Sequence, residues 1–61
     1  MDDIKKGFTQ GFVYACAQLI RDGNEYRAEW LWNESGFSEA DLKHCDDYDA
    51  KEIRKCLKEW A

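Results

Sequence analysis

The sequence predicts an all-α fold, a compact bundle of about four short helices, and three observations carry that expectation. A helix-start signal is written twice, eleven residues apart: Phe37-Ser38-Glu39-Ala40-Asp41-Leu42 and Tyr48-Asp49-Ala50-Lys51-Glu52-Ile53. In each, a capping residue (Ser38, Asp49) precedes by three positions an acid (Asp41, Glu52), and an aromatic before the cap answers an aliphatic residue after it. That is the grammar of a capping box with a hydrophobic staple. The second observation is that no proline interrupts the chain, while Gly23 and Gly36 stand where helices would stop. The third is that apolar residues recur at helical spacing, with no β-type alternation.

The first helix spans about residues 3–21. Asp2 or Asp3 caps it, and Asp22-Gly23 ends it with Gly23 in the left-handed C′ position. Ile4, Phe8, Gly11, Phe12, Val13, Ala15, Cys16, Leu19 and Ile20 fall in one broad apolar arc. Lys6, Gln10, Tyr14, Gln18 and Arg21 lie opposite. Gly7, Gly11 and Ala15 form a stripe of small residues at four-residue spacing, against which another helix is expected to pack closely.

The second helix spans about residues 25–35, capped by Asn24 and ended by Gly36. Ala28, Leu31 and Trp32 share one side and are assigned to the core; Tyr26 and Trp30 share the other. A helix this short cannot bury both sides in so small a domain, so one aromatic pair is left partly exposed. A short third helix covers about residues 39–45. The fourth covers about 50–60, with Ile53, Cys56, Leu57 and Trp60 on an apolar face and Lys51, Arg54, Lys55 and Lys58 on a basic one.

Residues 1–61 are read as a single helical domain. A chain of this length hides only about 60% of its unfolded surface, so stability is marginal and dense aromatic packing or a partner surface is expected. Aromatics make up 15% of the residues, enough to supply either. Net charge is −4 and uneven: residues 22–49 carry nine acids against Arg27 and Lys43, between weakly basic ends. Such a middle disfavours direct nucleic-acid binding and suits a basic protein surface. The reading is a cytoplasmic, non-membrane protein. No secretory leader is recognised in the first residues, and the longest apolar run, Phe12 to Ala17, is far too short to span a bilayer.

Little in the chain suggests chemistry. Cys16, Cys45 and Cys56 are an odd, widely spaced set, which fits reduced thiols rather than a disulfide framework. His44 and Cys45 are adjacent, a poor spacing for chelation or for a Cys–His dyad. Asp46, Asp47 and Asp49 lack the glycine and later glutamate of a calcium loop. No glycine-rich phosphate loop occurs. The expectation is therefore no enzyme, with no catalytic, cofactor-binding or metal-ligating residues and no cofactor. The candidate binding residues are Tyr26 and Trp30 as hydrophobic anchors within an acidic surround of Glu25, Glu29 and Glu34. The alternative is that Trp30 only completes the core.

The stretches Tyr14–Arg21, Leu31–Lys43 and Asp47–Arg54 resemble a group of short, uncharacterised all-helical proteins encoded by phages and prophages. The similarity covers nearly the whole chain, although these strings are mostly capping and core patterns. The group has no established biochemical role, so no site residue is carried over. The resemblance implies a phage context, in which small early proteins commonly bind and block a host protein, some as anti-CRISPR or other anti-defence inhibitors. In that group the position of Trp30 is usually charged, which makes Trp30 a candidate for this protein's own surface. The expected partner is thus a host or phage protein. A small homodimeric structural or accessory protein is the alternative, and a nucleic-acid binder using the basic last helix is a second.

Overall fold

The computed structural model describes residues 3–60. Three α-helices and one 3-10 helix follow in order: α1 over Asp3–Arg21, α2 over Glu25–Ser35, a 3-10 helix over Glu39–His44, and α3 over Asp47–Trp60. No strand occurs among the described residues, so the all-α expectation holds. Asp3 supplies an acid in the first turn of α1, and the alternative cap, Asp2, lies outside the described residues.

The longest helix, α1, is the spine, and α2, the 3-10 helix and α3 all pack against it. It ends as its glycine requires. Gly23 sits at φ 85°, where a side chain would be strained. The Asn24 N–H reaches back to the Leu19 carbonyl at 2.7 Å and the Gly23 N–H to Ile20 at 3.1 Å. This is the paired closure that satisfies the last carbonyls of a helix. Gly36, at φ 75°, closes α2 in the same left-handed conformation. Beside it, the Ser35 hydroxyl donates to the Trp32 carbonyl at 2.7 Å and accepts the Phe37 N–H at 3.0 Å.

The face of α1 that enters the core is rotated from the expected arc. Thr9, Val13, Cys16 and Ala17 are buried, whereas Ile4, Phe8, Gly11 and Ala15 are exposed. Both neighbouring α-helices dock along one side of α1, leaving the far edge of its apolar arc uncovered. Thr9 tolerates burial because its hydroxyl donates to the Lys5 carbonyl at 2.8 Å. The small-residue stripe does not receive another helix of this chain: a Cβ added at Gly7 or Gly11 would meet nothing within 4 Å.

Val13, Cys16, Ala28, Trp32, Leu42, Ala50 and Ile53 form the centre of the core. Against it pack half-buried residues that include Phe12, Phe37 and Trp60. Phe37 is the hub of an aromatic group. Its ring lies edge-on to Phe12 at 5.2 Å and close to Trp32 at 6.1 Å, distances at which such pairs attract.

The two cap signals fare differently. At the first, the Asp41 carboxylate accepts the Ser38 N–H at 2.8 Å, and Phe37 and Leu42 both join the core. The segment after it is a six-residue 3-10 helix that stops at His44, because Cys45 turns extended. At the second, the expected box does not form. The helix begins at Asp47 rather than residue 50, and Asp46 does the capping: its carbonyl accepts the Ala50 N–H at 2.9 Å and its carboxylate the Tyr48 N–H at 3.4 Å. Asp49 therefore lies inside the first turn and is buried, and Tyr48 is exposed rather than stapled to Ile53. Asn24 occupies the cap position of α2 without a side-chain bond, its backbone (φ −104°, ψ 45°) lying outside the extended region typical of a cap.

Candidate functional site

In α2 the 3.6-residue period divides the aromatics as the sequence suggests. Ala28 and Trp32 face α1, with Trp32 only 5% exposed and Leu31 half-buried beside them. One turn apart on the outer side stand Tyr26, 80% exposed, and Trp30, 55% exposed. Large rings left this far in water are not explained by packing within the molecule.

The acids around them are not equivalent. Glu34 is exposed, while Glu25 and Glu29 are half-buried. Glu25 faces α3, where it takes a hydrogen bond from the Cys56 thiol. That thiol is pushed up to about 12, first by burial and then by this bond and the negative charge of Glu25, with Glu59 and Glu52 adding to it. Glu25, Tyr26 and Glu29 meet Glu59 and Trp60 of α3 around a shallow depression of about 250 Å³. The structure thus brings three of the five candidate residues together and places Trp30 on the same helix side. Glu34 stands apart, toward the end of α2.

Glu59 and Trp60 are the residues that sequence reasoning missed. The available signal was Trp60 at the end of the apolar stripe of α3, a ring large enough to pack on the core and border this depression as well.

The opposite charge gathers elsewhere. Lys51, Arg54, Lys55 and Lys58 line a groove of about 420 Å³ with Leu57 and Glu39. Two of these cations are matched, Arg54 to Glu39 at 3.7 Å and Lys55 to Glu52 at 3.9 Å. A third, polar depression of about 450 Å³ joins His44, Cys45 and Asp46 to Lys6 and Lys43. Its lysines oppose a cation, and the described residues hold no group of three or more side chains placed to bind a metal ion. The three cysteines are free. Burial raises Cys16 to about 11, and burial with the nearby Asp49 and Asp41 raises Cys45, so none has the lowered pKa of a nucleophile. None of the described helices is long and apolar enough to cross a membrane. No protein-family model, curated protein or solved structure matches the chain.

Proposed function

We propose that this chain is a non-enzymatic binding module that seats Tyr26 and Trp30 in a pocket on a partner protein. The observation that supports the reading most is the orientation of α2, which buries Trp32 and holds Trp30 and Tyr26 outward. Aromatic anchors of this type dominate the energy of many interfaces. The carboxylates of Glu25, Glu29 and Glu59 border the depression beside Tyr26, and Glu34 adds negative charge one turn beyond Trp30, which favours a basic patch on the partner and speeds encounter with it.

The finer reading is a phage-encoded inhibitor of a host protein, of anti-defence or anti-CRISPR type, working in the bacterial cytoplasm. It rests on the resemblance alone. The experiment is a pull-down from host lysate with wild type and with the Tyr26→Ala/Trp30→Ala double variant. A partner held by the wild type, lost from the variant and released by salt supports the reading, provided the melting temperatures agree. Capture of the same partner by both proteins defeats it.

A nucleic-acid reading draws on the basic groove of α3. Its weakness is that Arg54 and Lys55 already have acidic partners. A gel shift that disappears in Lys51→Glu/Lys58→Glu would favour it.

A further inference from the structure

The outward face of α1 takes no part in the proposed binding surface and touches the core only at one edge, where the Phe8 ring lies 6.2 Å from those of Phe12 and Phe37. Ile4, Gly7, Phe8, Gly11, Tyr14 and Ala15, with Gln18 at the far end, all lie exposed within an arc of about 120°. None is charged, in a chain of which 36% of residues are. Ile4 is 87% exposed and Phe8 65%. The face is apolar at its rims and flat at its centre, since nothing within 4 Å surrounds a Cβ at Gly7 or Gly11.

Its pattern is symmetric about Gly11. Small residues stand four positions to either side, Gly7 and Ala15, and aromatics three positions to either side, Phe8 and Tyr14. The two aromatics flank the glycine on opposite edges. A twofold axis beside Gly11, with a second α1 running antiparallel, then sets each large side chain against a small one. Phe8 of one copy rests on Ala15 of the second copy, and Tyr14 rests on Gly7. An isologous interface demands this kind of self-complementarity. A membrane surface does not, and it gains nothing from glycines at the centre.

We infer that this face of α1 is the interface of an antiparallel homodimer, centred on Gly11. Antiparallel pairing also opposes the two helix dipoles and brings the Lys5 end of one helix toward Asp22 at the end of the other. The area is adequate for a modest dimer. A specific interface takes about a tenth of a small protein's surface from each partner. A face along a helix about 28 Å long can supply such a share, on the order of 400–500 Å² of the 4287 Å² here. The total of roughly 800–1,000 Å² lies at the lower limit of specific interfaces, so the dimer is weak and concentration-dependent. The inference is independent of the Tyr26/Trp30 reading, which concerns another helix.

Sedimentation equilibrium over a wide concentration range tests it, on the wild type, Gly11→Glu and Trp30→Ala. The open space at Gly11 lets the glutamate variant fold as a monomer. The expected result is a wild-type dimer, a Gly11→Glu monomer that melts no lower than the dissociated wild type, and a Trp30→Ala dimer. A wild-type monomer at the highest concentration, a Gly11→Glu dimer or a Trp30→Ala monomer each overturns the inference.

Discussion

Arg21 and Asp49 close the molecule. The Arg21 Nη2 group donates to Asp49 Oδ1 at 3.1 Å, joining the last turn of α1 to the first turn of α3. The guanidinium also donates to Gln18 Oε1 at 2.7 Å and lies 4.0 Å above the Tyr48 ring. Its Nε stands 3.7 Å from Glu52 without forming a hydrogen bond. Both partners of the pair are largely shielded from water, which separates it from an ordinary surface ion pair.

Removing either partner strands the other charge. Arg21→Ala is expected to cost roughly 2–4 kcal/mol, toward the lower end of the range for a broken buried pair because some solvent access remains. Asp49→Ser separates this role from capping. Serine is a good cap, so a capping Asp49 would tolerate it. The geometry instead predicts a loss comparable to Arg21→Ala, read by urea denaturation. A neutral Asp49→Ser would restore Asp49 to the cap.

The two tryptophans of α2 should respond oppositely. Trp32→Ala is expected to lose about 3–5 kcal/mol as a core tryptophan, and Trp30→Ala less than about 1 kcal/mol. Chemical denaturation of both variants checks the face assignment. Equal losses would contradict it.

The glycines divide in the same way. Gly11→Ala should stabilise the monomer by roughly 0.5–1 kcal/mol, since it is helical and its surroundings are empty. Gly23→Ala and Gly36→Ala should each cost about 1–2 kcal/mol, because both positions are left-handed. Melting curves distinguish the two signs.

Alkaline pH should destabilise the fold. Cys16 and Cys56 titrate at about 11 and about 12 when folded against 9.0 as the ordinary value, so the folded state holds their protons longer. Their contribution is complete below pH 9 and is lost as pH rises through those folded values. The melting temperature should fall over this window, and the fall should shrink in Cys16→Ala relative to its own neutral-pH value. At neutral pH, native thiol labelling should reach half-buried Cys45 first, with all three thiols reacting after denaturation. Fewer than three would indicate a bond or a ligand.

How much was legible in the sequence depended on how local each cause was. Gly23 and Gly36 marked helix ends correctly because a left-handed residue is a demand on one position. The split between Trp30 and Trp32 followed from helical period alone. The start of α3 was not legible, since Asp46, Asp47 and Asp49 can all cap a helix. What decides among them is Arg21, twenty-eight residues before Asp49. The rotated face of α1 was hidden for a related reason: its apolar arc is wider than its neighbours can cover. The acidic depression was half legible, with Glu25, Tyr26 and Glu29 read from α2, while Glu59 and Trp60 arrive only through tertiary contact.

The central place of α1 also sets a schedule for synthesis. Its buried face is covered by α2 and α3 alike, and the last described residue of α3 is made almost forty positions after α1 ends. At about 5–20 residues per second, α1 waits roughly 2–8 s for that cover. During this interval α2 can shield only part of the buried face of α1, which includes Val13 and Cys16. The cover of α1 is therefore complete only once α3 has been made. The nascent first helix is the segment that a chaperone would meet.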